Sequence, residues 1–573
     1  MQIIPGVISR NAPLGRWDFV AIPLIFGVLV LTAYGLHGMD VPLTSVEQPA
    51  ISLDRSHLPL YALYTTLRMF AAMFASLLFT FTYGALAAKS RRAEMVLVPV
   101  LDILQSVPIL GFLSFTVVFW LSLFPGRALG AECAAVFAIF TSQAWNMAFS
   151  FYQSLRTIPD DLDEASRSFR LSGWQRFWRL EVPFAMPGLV WNMMMSMSGG
   201  WFFVVATESI SVGKHEAMLP GLGSYVATAI AARDLGAVGW ALVTMLVVIM
   251  LYDQIVFRPL AVWSEKFRFE QTIGQVVPTS WSLRMLRSSR FVAAVWSPFA
   301  ALLRRLTSAR LLIPRRRRRK TIRVSEPALD RAWIALLIVV CLVGAWLTIR
   351  FVGSELDLRE VMHVFGLGCL TLIRVVVLIA LASLIWVPIG VWVGLRPSWT
   401  KWVQPIAQFF AAFPANLMFP LAVVAIMHFH AAPGIWLSPL MVLGTQWYIL
   451  FNVIAGAATF PNDLRDVATN MGVRGWMWWK RVILPGIFPY YVTGGITASG
   501  GSWNASIVSE TVSWGDTHLT AAGLGSYIAA ATDAGDYPRV VLGIAVMSVF
   551  VTAFNRLVWR PLYAYAERRL RII

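Results

Sequence analysis

Residues 160–187 read DDLDEASRSFRLSGWQRFWRLEVPFAMP, and residues 462–489 read NDLRDVATNMGVRGWMWWKRVILPGIFP. The two stretches are one motif written twice at an offset of 302 residues, with identities at Pro159/Pro461, Asp161/Asp463, Leu162/Leu464, Gly173/Gly475, Trp174/Trp476, Arg179/Arg481, Pro183/Pro485 and Pro187/Pro489. Copy one opens with Asp160, Asp161, Asp163 and Glu164, acids that the dipole of a starting helix favours. Copy two carries Gly472 and Gly475, spaced to divide a helix into two short pieces. A short helix, a turn and a second short helix make a rigid knob that fits a cleft in a partner protein.

Outside these stretches the chain is oily. Of 573 residues, 58% are hydrophobic and 13% charged, about half the charged fraction of soluble domains. Apolar runs of about 20 residues, enough to cross a bilayer, recur along its length. Six are expected before the middle, at 17–37, 57–86, 95–124, 131–152, 184–207 and 235–257. Six more follow, at 331–351, 361–394, 403–430, 434–456, 486–509 and 540–558. The third run of the first half contains Pro99 and Pro108, which predict a kink or break. No small-residue cleavage site follows the first run, so it reads as a retained span.

The halves match beyond the opening motif. Arg68 pairs with Arg374, Pro99 with Pro405 and Pro108 with Pro414 at offset 306. Trp201 pairs with Trp503, Glu208 with Glu510, and Gly221-Leu-Gly-Ser-Tyr225 with Gly523-Leu-Gly-Ser-Tyr527 at offset 302. A repeat with an even number of spans runs parallel to its partner. The expected fold is therefore an all-α polytopic membrane protein of about 12 transmembrane helices, two tandem six-helix domains around a pseudo-two-fold along the membrane normal. We place the domains at 1–263 and 331–573.

Charge assigns the sides. Arg10 and Arg16 precede the first span, Asp40, Glu47 and Asp54 follow it, and Lys89, Arg91 and Arg92 follow the second. Both termini and both repeated loops are thus expected in the cytoplasm. Between the domains, residues 264–330 hold Arg284, Arg287, Arg290, Arg304, Arg305 and Arg310, then the run Arg315–Arg319 and Lys320. This reads as a cytoplasmic linker touching anionic headgroups, with 291–303 able to lie as an amphipathic helix on the surface. The net charge of +17 is therefore a membrane signature, and nucleic-acid binding is not expected. Cys133, Cys341 and Cys369 lack metal spacing. His428 and His430, two apart, diverge on a helix, so neither a metal nor a catalytic site is expected.

The repeated loop resembles the EAA loop of ABC importer permeases, Glu-Ala-Ala, three residues, Gly, nine residues, then an aliphatic, any residue and Leu-Pro. Copy two fits with Asp466-Val467-Ala468, Gly472, Val482 and Leu484-Pro485; copy one fits with Glu164-Ala165-Ser166, Leu180 and Val182-Pro183. Copy one has Arg170 where the family has its Gly, so Gly173 is expected to shift the turn. The Gly-Leu-Gly-Ser-Tyr segments are similar to the Gly-Leu-Gly-Tyr stretch of the nitrate/sulfonate/taurine branch. The resemblance covers both halves except the linker, with loops at about 157–187 and 459–489.

The resemblance implies two type I ABC importer permease domains forming the pathway for a small anion such as nitrate, a sulfonate, taurine or bicarbonate, in a bacterial inner membrane. It implies coupling through Asp163, Glu164, Ala165, Ser166, Arg170, Gly173, Arg465, Asp466, Val467, Ala468, Gly472 and Gly475. Two ABC ATP-binding subunits and a periplasmic or lipid-anchored binding protein are the implied partners. ATP and magnesium would belong to the ATPase, because no Gly-x-x-x-x-Gly-Lys-Ser/Thr loop occurs in this chain.

Polar residues inside spans are pathway candidates. Arg68 and Arg374 could meet an anion, snorkel or pair with a loop acid. Glu208 and Glu510 fit helix anchoring or a bond between the halves. Ser198, Trp201, Ser502, Trp503 and Asn504, with Ser196 and Ser499, could line a pore or permit close packing. Gln105, Asn146 and Asn416 read as helix-to-helix bonds. Two other classes compete: a six-plus-six secondary transporter driven by an ion gradient, which gives no reason for twin knobs, and a membrane scaffold.

Overall fold

A computed structural model describes residues 51–106, 109–125, 127–212, 215–267, 280–309, 326–458, 460 and 462–569, with residues 18, 19, 22, 23, 26, 27 and 30 near the N-terminus. The first half runs α1 (Leu58–Phe79), α2 (Arg91–Ser106), α3 (Ile109–Leu123), α4 (Leu129–Arg156), α5 (Asp160–Ser168), α6 (Gly173–Arg176), α7 (Val182–Glu208), hairpin β1 (Ser209–Val212) and β2 (His215–Met218), α8 (Leu222–Ala231), α9 (Leu235–Tyr252) and α10 (Arg258–Glu265). The linker contributes α11 (Trp281–Ser288) and α12 (Arg290–Ser308). The second half runs α13 (Glu326–Gly353), α14 (Leu358–Gly394), α15 (Pro397–Ala412), α16 (Phe419–His428), α17 (Pro433–Trp436), α18 (Leu440–Leu443), α19 (Gln446–Ala458), α20 (Asn462–Asn470), α21 (Gly475–Trp478) and α22 (Leu484–Ser509). It closes with hairpin β3 (Thr511–Trp514) and β4 (Thr517–Thr520), α23 (Leu524–Ala534), α24 (Tyr537–Phe554) and α25 (Arg560–Arg569).

Six helical runs among the described residues are long and apolar enough to cross a membrane: Arg55–Lys89, Gly173–Glu208, Leu235–Glu265, Trp333–Gly353, Leu358–Gly394 and Tyr537–Ala566. A bent pair, Pro433–Leu443 with Gln446–Ala458, makes a seventh. The runs expected at 131–152 and 486–509 are helices α4 and α22. The run expected at 403–430 folds as two pieces, and that expected at 95–124 is helical over Arg91–Ser106 and Ile109–Leu123, with residues 107 and 108 outside the described residues. The first expected span lies largely outside the described residues.

The break in the second half's third span has a proline cause; in the first half Pro108 lies outside the described residues. Helix α2 runs straight through Pro99, and in the second half the chain breaks at Phe413-Pro414. Phe413 is extended there, with φ −73° and ψ 129°, the conformation that a following proline imposes. A short 3₁₀ turn, Ala415–Met418, then restarts the helix. The repeat extends to helix irregularities: π-helical turns at Phe177–Glu181 and Asp253–Phe257 recur at Trp479–Ile483 and Asn555–Trp559.

Each half lends its third span to the other. Helices α2 and α3 pack on α24, and α15 packs on α7 and α9. The core follows the same exchange. Val117, Ala134, Ala138 and Phe203 belong to the second half's core, while Leu417, Phe419, Val512 and Trp514 belong to the first half's. Trp191 stacks on Phe451 across the junction, with centroids 4.9 Å apart. The Asn416 side chain donates to the Phe202 carbonyl at 3.2 Å. The two halves are one interlocked body with shared apolar burial.

Candidate functional site

The two loops keep one backbone. In copy one, Arg170 N donates to Arg167 O at 2.9 Å and Leu171 N to Ser166 O at 3.2 Å. In copy two, Gly472 N donates to Thr469 O at 3.0 Å and Val473 N to Ala468 O at 2.9 Å. This paired closure ends a helix through a left-handed residue. Gly472 supplies it with φ +69°, and Arg170 with φ +49°. The expected shift of the turn to Gly173 does not occur. Arg170 adopts the glycine conformation itself, at a cost of about 1–2 kcal/mol from its Cβ. Ser166 and Ala468 are buried under their short helices, while Glu164, Asp466, Val467, Gly173 and Gly475 are exposed and Ala165 and Arg465 half-buried.

Their side chains differ sharply. In copy one, Asp163 pairs with Arg167 at 2.6 Å and Arg176 at 2.5 Å. Arg176 also reaches Glu181 at 3.2 Å, and Glu181 takes Lys89 at 2.7 Å. Ser172 and Gln175 close a reciprocal cap at the start of α6. The end of linker helix α12 then grips this copy. Trp174 Nε1 donates to Leu306 O at 2.8 Å, Gln175 Nε2 to Ser308 O at 2.8 Å, and Arg179 to Ser308 Oγ at 2.9 Å. In copy two the positions of Asp163, Arg176 and Glu181 are Arg465, Trp478 and Ile483, so that network cannot form. Both copies present an apolar side chain before the turn, Phe169 at 77% and Met471 at 75% exposure, but Trp476 of copy two is 74% exposed where Trp174, held by α12, is 36%. An exposed apolar knob of this kind marks an interaction surface.

At the other end of each loop-bearing span lies a buried charge latch. Arg68 is 1% exposed and Glu208 fully buried. Arg68 clasps Glu132 through two bonds of 2.6 Å and donates to Glu208 at 2.7 Å and the Pro220 carbonyl at 2.9 Å. Thr65 donates to Glu208 at 2.7 Å and accepts from Leu222 N at 3.0 Å, and Gly223 N donates to Glu208 at 2.6 Å. The second half rebuilds the frame. Arg374 donates to Glu510 at 3.1 Å, Thr371 to Glu510 at 2.9 Å, Leu524 N to Thr371 at 2.9 Å and Ser526 N to Glu510 at 3.1 Å.

The latch explains the repeated Gly-Leu-Gly-Ser-Tyr. A Cβ on Gly221 would fall within the Glu208 carboxylate, and one on Gly523 within that of Glu510. Only glycine lets the start of α8 or α23 bring its amides onto the acid. Buried carboxylates need such donors, because a buried charge without them costs several kcal/mol.

The structure therefore sets Arg68, Glu208 and Glu510 in ion-pair sites within each half, with no bond from them to the other half among the described residues and no snorkelling at Arg68. Trp201 and Trp503 are likewise buried, against Tyr252 and Phe550. Ser502 is buried and bonded to Thr445 at 2.9 Å, and Asn504 is half-buried, donating to Gly500 O at 3.2 Å. Arg374 keeps 15% of its side chain exposed. The side chains of Ser198 and Gln105 and the residues Arg315–Lys320 lie outside what the structure describes. Glu132, Thr65 and Thr371 were missed from sequence. Thr65 and Thr371 precede the matched arginines by one helical turn, a signal that was available. Glu132 has no acidic counterpart, since Gly434 stands at its matched position.

A further pairing joins the halves on the hairpin side. Arg233, at the end of α8, meets Asp516 of the β3–β4 turn at 2.9 Å, and Gly515 N donates to Ile230 O at 3.0 Å.

Compared with known proteins, the chain matches the model for the binding-protein-dependent transport system inner membrane component twice, over residues 80–258 and 386–572. It is 29% identical over 142 residues to the bicarbonate transport system permease protein CmpB of Synechococcus elongatus, covering 25% of this chain and 50% of that one. It is 25% identical over 185 residues to the nitrate import permease protein NrtB of Leptolyngbya laminosa, covering 32% and 63%. It is 24% identical over 231 residues to the glycine betaine/proline betaine transport system permease protein ProW of Escherichia coli, covering 40% and 60%. The chain thus spans about half to two thirds of the length of these relatives. No solved structure matches it significantly.

Proposed function

We propose a function for this chain from one premise: it belongs to the family of binding-protein-dependent transport system inner membrane components, and carries the family's unit twice. On our reading it is the permease of an ATP-driven importer, with both units fused in one chain. The observation that carries this is the pair of loops, two knobs with the same Schellman-closed turn. Each knob runs directly into the long helix that ends in a charge latch, so a push on the knob moves one rigid helix.

Two ATP-binding subunits, holding ATP and magnesium, would seat α5–α6 and α20–α21 on the cytoplasmic side. A binding protein outside the cell would deliver substrate to the hairpin side. The substrate we assign is a small anion of the nitrate, sulfonate or bicarbonate kind, supported by the relatives whose names specify bicarbonate and nitrate. Arg374, with one carboxylate and part of its surface open, is the cation we assign to the pathway. Arg68, Glu208 and Glu510 act as anchors of the moving helices.

Proteoliposomes containing this chain with the ATP-binding and binding proteins encoded beside it test the reading. Uptake of labelled bicarbonate, nitrate, taurine and betaine is followed with trapped ATP. ATP-dependent uptake of one of the anions, lost when Glu164→Lys and Asp466→Lys are combined, is expected. Uptake that continues on an ion gradient without ATP overturns the importer in favour of a secondary transporter. Preference for betaine overturns the anion assignment alone.

A further inference from the structure

Helix α12 has an apolar face that nothing in the described structure covers. At about 100° per residue, Val295, Trp296, Phe299, Leu302, Leu303 and Leu306 fall on one side of it, and Arg304, Arg305, Ser297 and Ser308 on the other. The apolar side is turned outward: Phe299 is 49% exposed, and Val295, Leu302 and Leu306 are each more than half exposed. A row of this kind on a helix in water costs roughly 25 cal/mol per Å² of apolar surface left wet.

The helix is tied to the membrane-spanning body at both ends. Asp18, in the first apolar run, accepts from Ser289 Oγ at 2.5 Å and Phe291 N at 2.9 Å at its start. The preceding helix, α11, packs on α10, and its Ser282 donates to the Gln254 carbonyl at 2.7 Å, at the loop-side end of α9. At its far end α12 holds Trp174, Gln175 and Arg179 of loop copy one. A rod of 19 residues, about 28 Å long, is thereby strung across the loop-side end of the spans, where the bilayer surface begins. Its surroundings in the chain are basic: Arg284, Arg287, Arg304, Arg305 and Arg310, then Arg315–Lys320.

We propose that α12 is a membrane-surface helix, its apolar face seated among acyl chains and its arginines on anionic headgroups, fixed at one end to loop copy one. Charge complementarity selects the occupant. An apolar face edged with arginine and Trp, tethered at bilayer height, suits an interface rich in phosphatidylglycerol. The proposal does not depend on what the protein transports, and among the described residues loop copy two has no such tether.

The test uses the full chain with Cys133, Cys341 and Cys369 replaced, carrying one new cysteine with an environment-sensitive fluorophore. Phe299→Cys probes the apolar face, Ser297→Cys the opposite one, and Leu302→Cys repeats the first reading if Phe299→Cys fails to yield monodisperse protein. Nanodiscs are made from phosphatidylcholine alone or with a quarter phosphatidylglycerol, doped with spin-labelled lipid. Quenching at the apolar site in the anionic discs, at least threefold weaker without phosphatidylglycerol or with Arg304→Gln/Arg305→Gln, and absent at Ser297→Cys, supports the seat. The proposal is overturned if the apolar site stays wet in anionic discs or if quenching ignores lipid charge. Equal quenching of both faces, or shielding that appears only when a soluble partner protein is added, overturns it too.

Discussion

The two charge latches share a frame and differ in stoichiometry. Thr65, Arg68, Glu208 and the α8 amides correspond to Thr371, Arg374, Glu510 and the α23 amides. In the first half a second acid, Glu132, clasps Arg68, and the guanidinium is wholly enclosed. In the second half the matched position is Gly434, whose carbonyl stands 3.4 Å from Arg374, and part of the side chain is exposed. The difference separates what the fold requires from what one half has added. An acid at the end of the long helix, received by backbone amides, recurs in both. The extra acid occurs where α4 is one continuous helix, and is missing where the chain is divided into α17, α18 and α19.

The comparison breaks or sharpens most at the arginines. Arg68→Met leaves Glu132 and Glu208 facing each other in the interior, a loss of about 3–5 kcal/mol. Arg374→Met leaves one acid that keeps Thr371 and the Ser526 amide, and about 1–3 kcal/mol is expected. Denaturant titration of the purified chain in micelles measures both, and equal losses would erase the distinction. Next come the shared glycines. Gly221→Ala and Gly523→Ala each drive a methyl group into a carboxylate, at about 1–3 kcal/mol, and the two losses should agree because the frame is common.

Smaller effects belong to the loops. Gly472→Ala puts a Cβ on a left-handed residue and costs about 1 kcal/mol. Arg170→Gly relieves that strain, so copy one should hold its turn and gain up to about 1 kcal/mol. Amide hydrogen exchange of each loop reads both, and melting of copy one by Arg170→Gly would show that the arginine does more than fill the turn. Smallest is the exposed Arg233–Asp516 pair. Arg233→Ala should cost under about 1 kcal/mol, visible as faster exchange in the β3–β4 hairpin with the core unchanged. The matching position in the second half is Gly535, which has no side chain to brace the first hairpin.

Much of the loop was readable in advance. Acids, turn residues and prolines act over a few positions, and a motif written twice reveals its own period. The departure at Arg170 was legible; its outcome was not, because a left-handed arginine costs only about 1–2 kcal/mol, which the helix-ending bonds on either side repay. The latches were half legible. Arg68, Arg374, Glu208, Glu510 and the glycines all stood out as matched positions, yet nothing in one dimension joined them, since Thr65 and Leu222 are separated by 157 residues. Glu132 was invisible to a search for repeats, because it occurs once.

Sequence by itself determined the membrane class, the duplication and the helix-turn-helix knobs. Those depend on apolar run length, period and local backbone preference, all of which act between near neighbours. Tertiary structure alone decided the exchange of third spans, the closing of Arg68 between two acids, and the grip of α12 on only one loop. Each of those depends on the distance between atoms far apart in the chain. A buried charge becomes tolerable only when a partner from another helix arrives within about 3 Å, and no reading of order along the chain contains that distance.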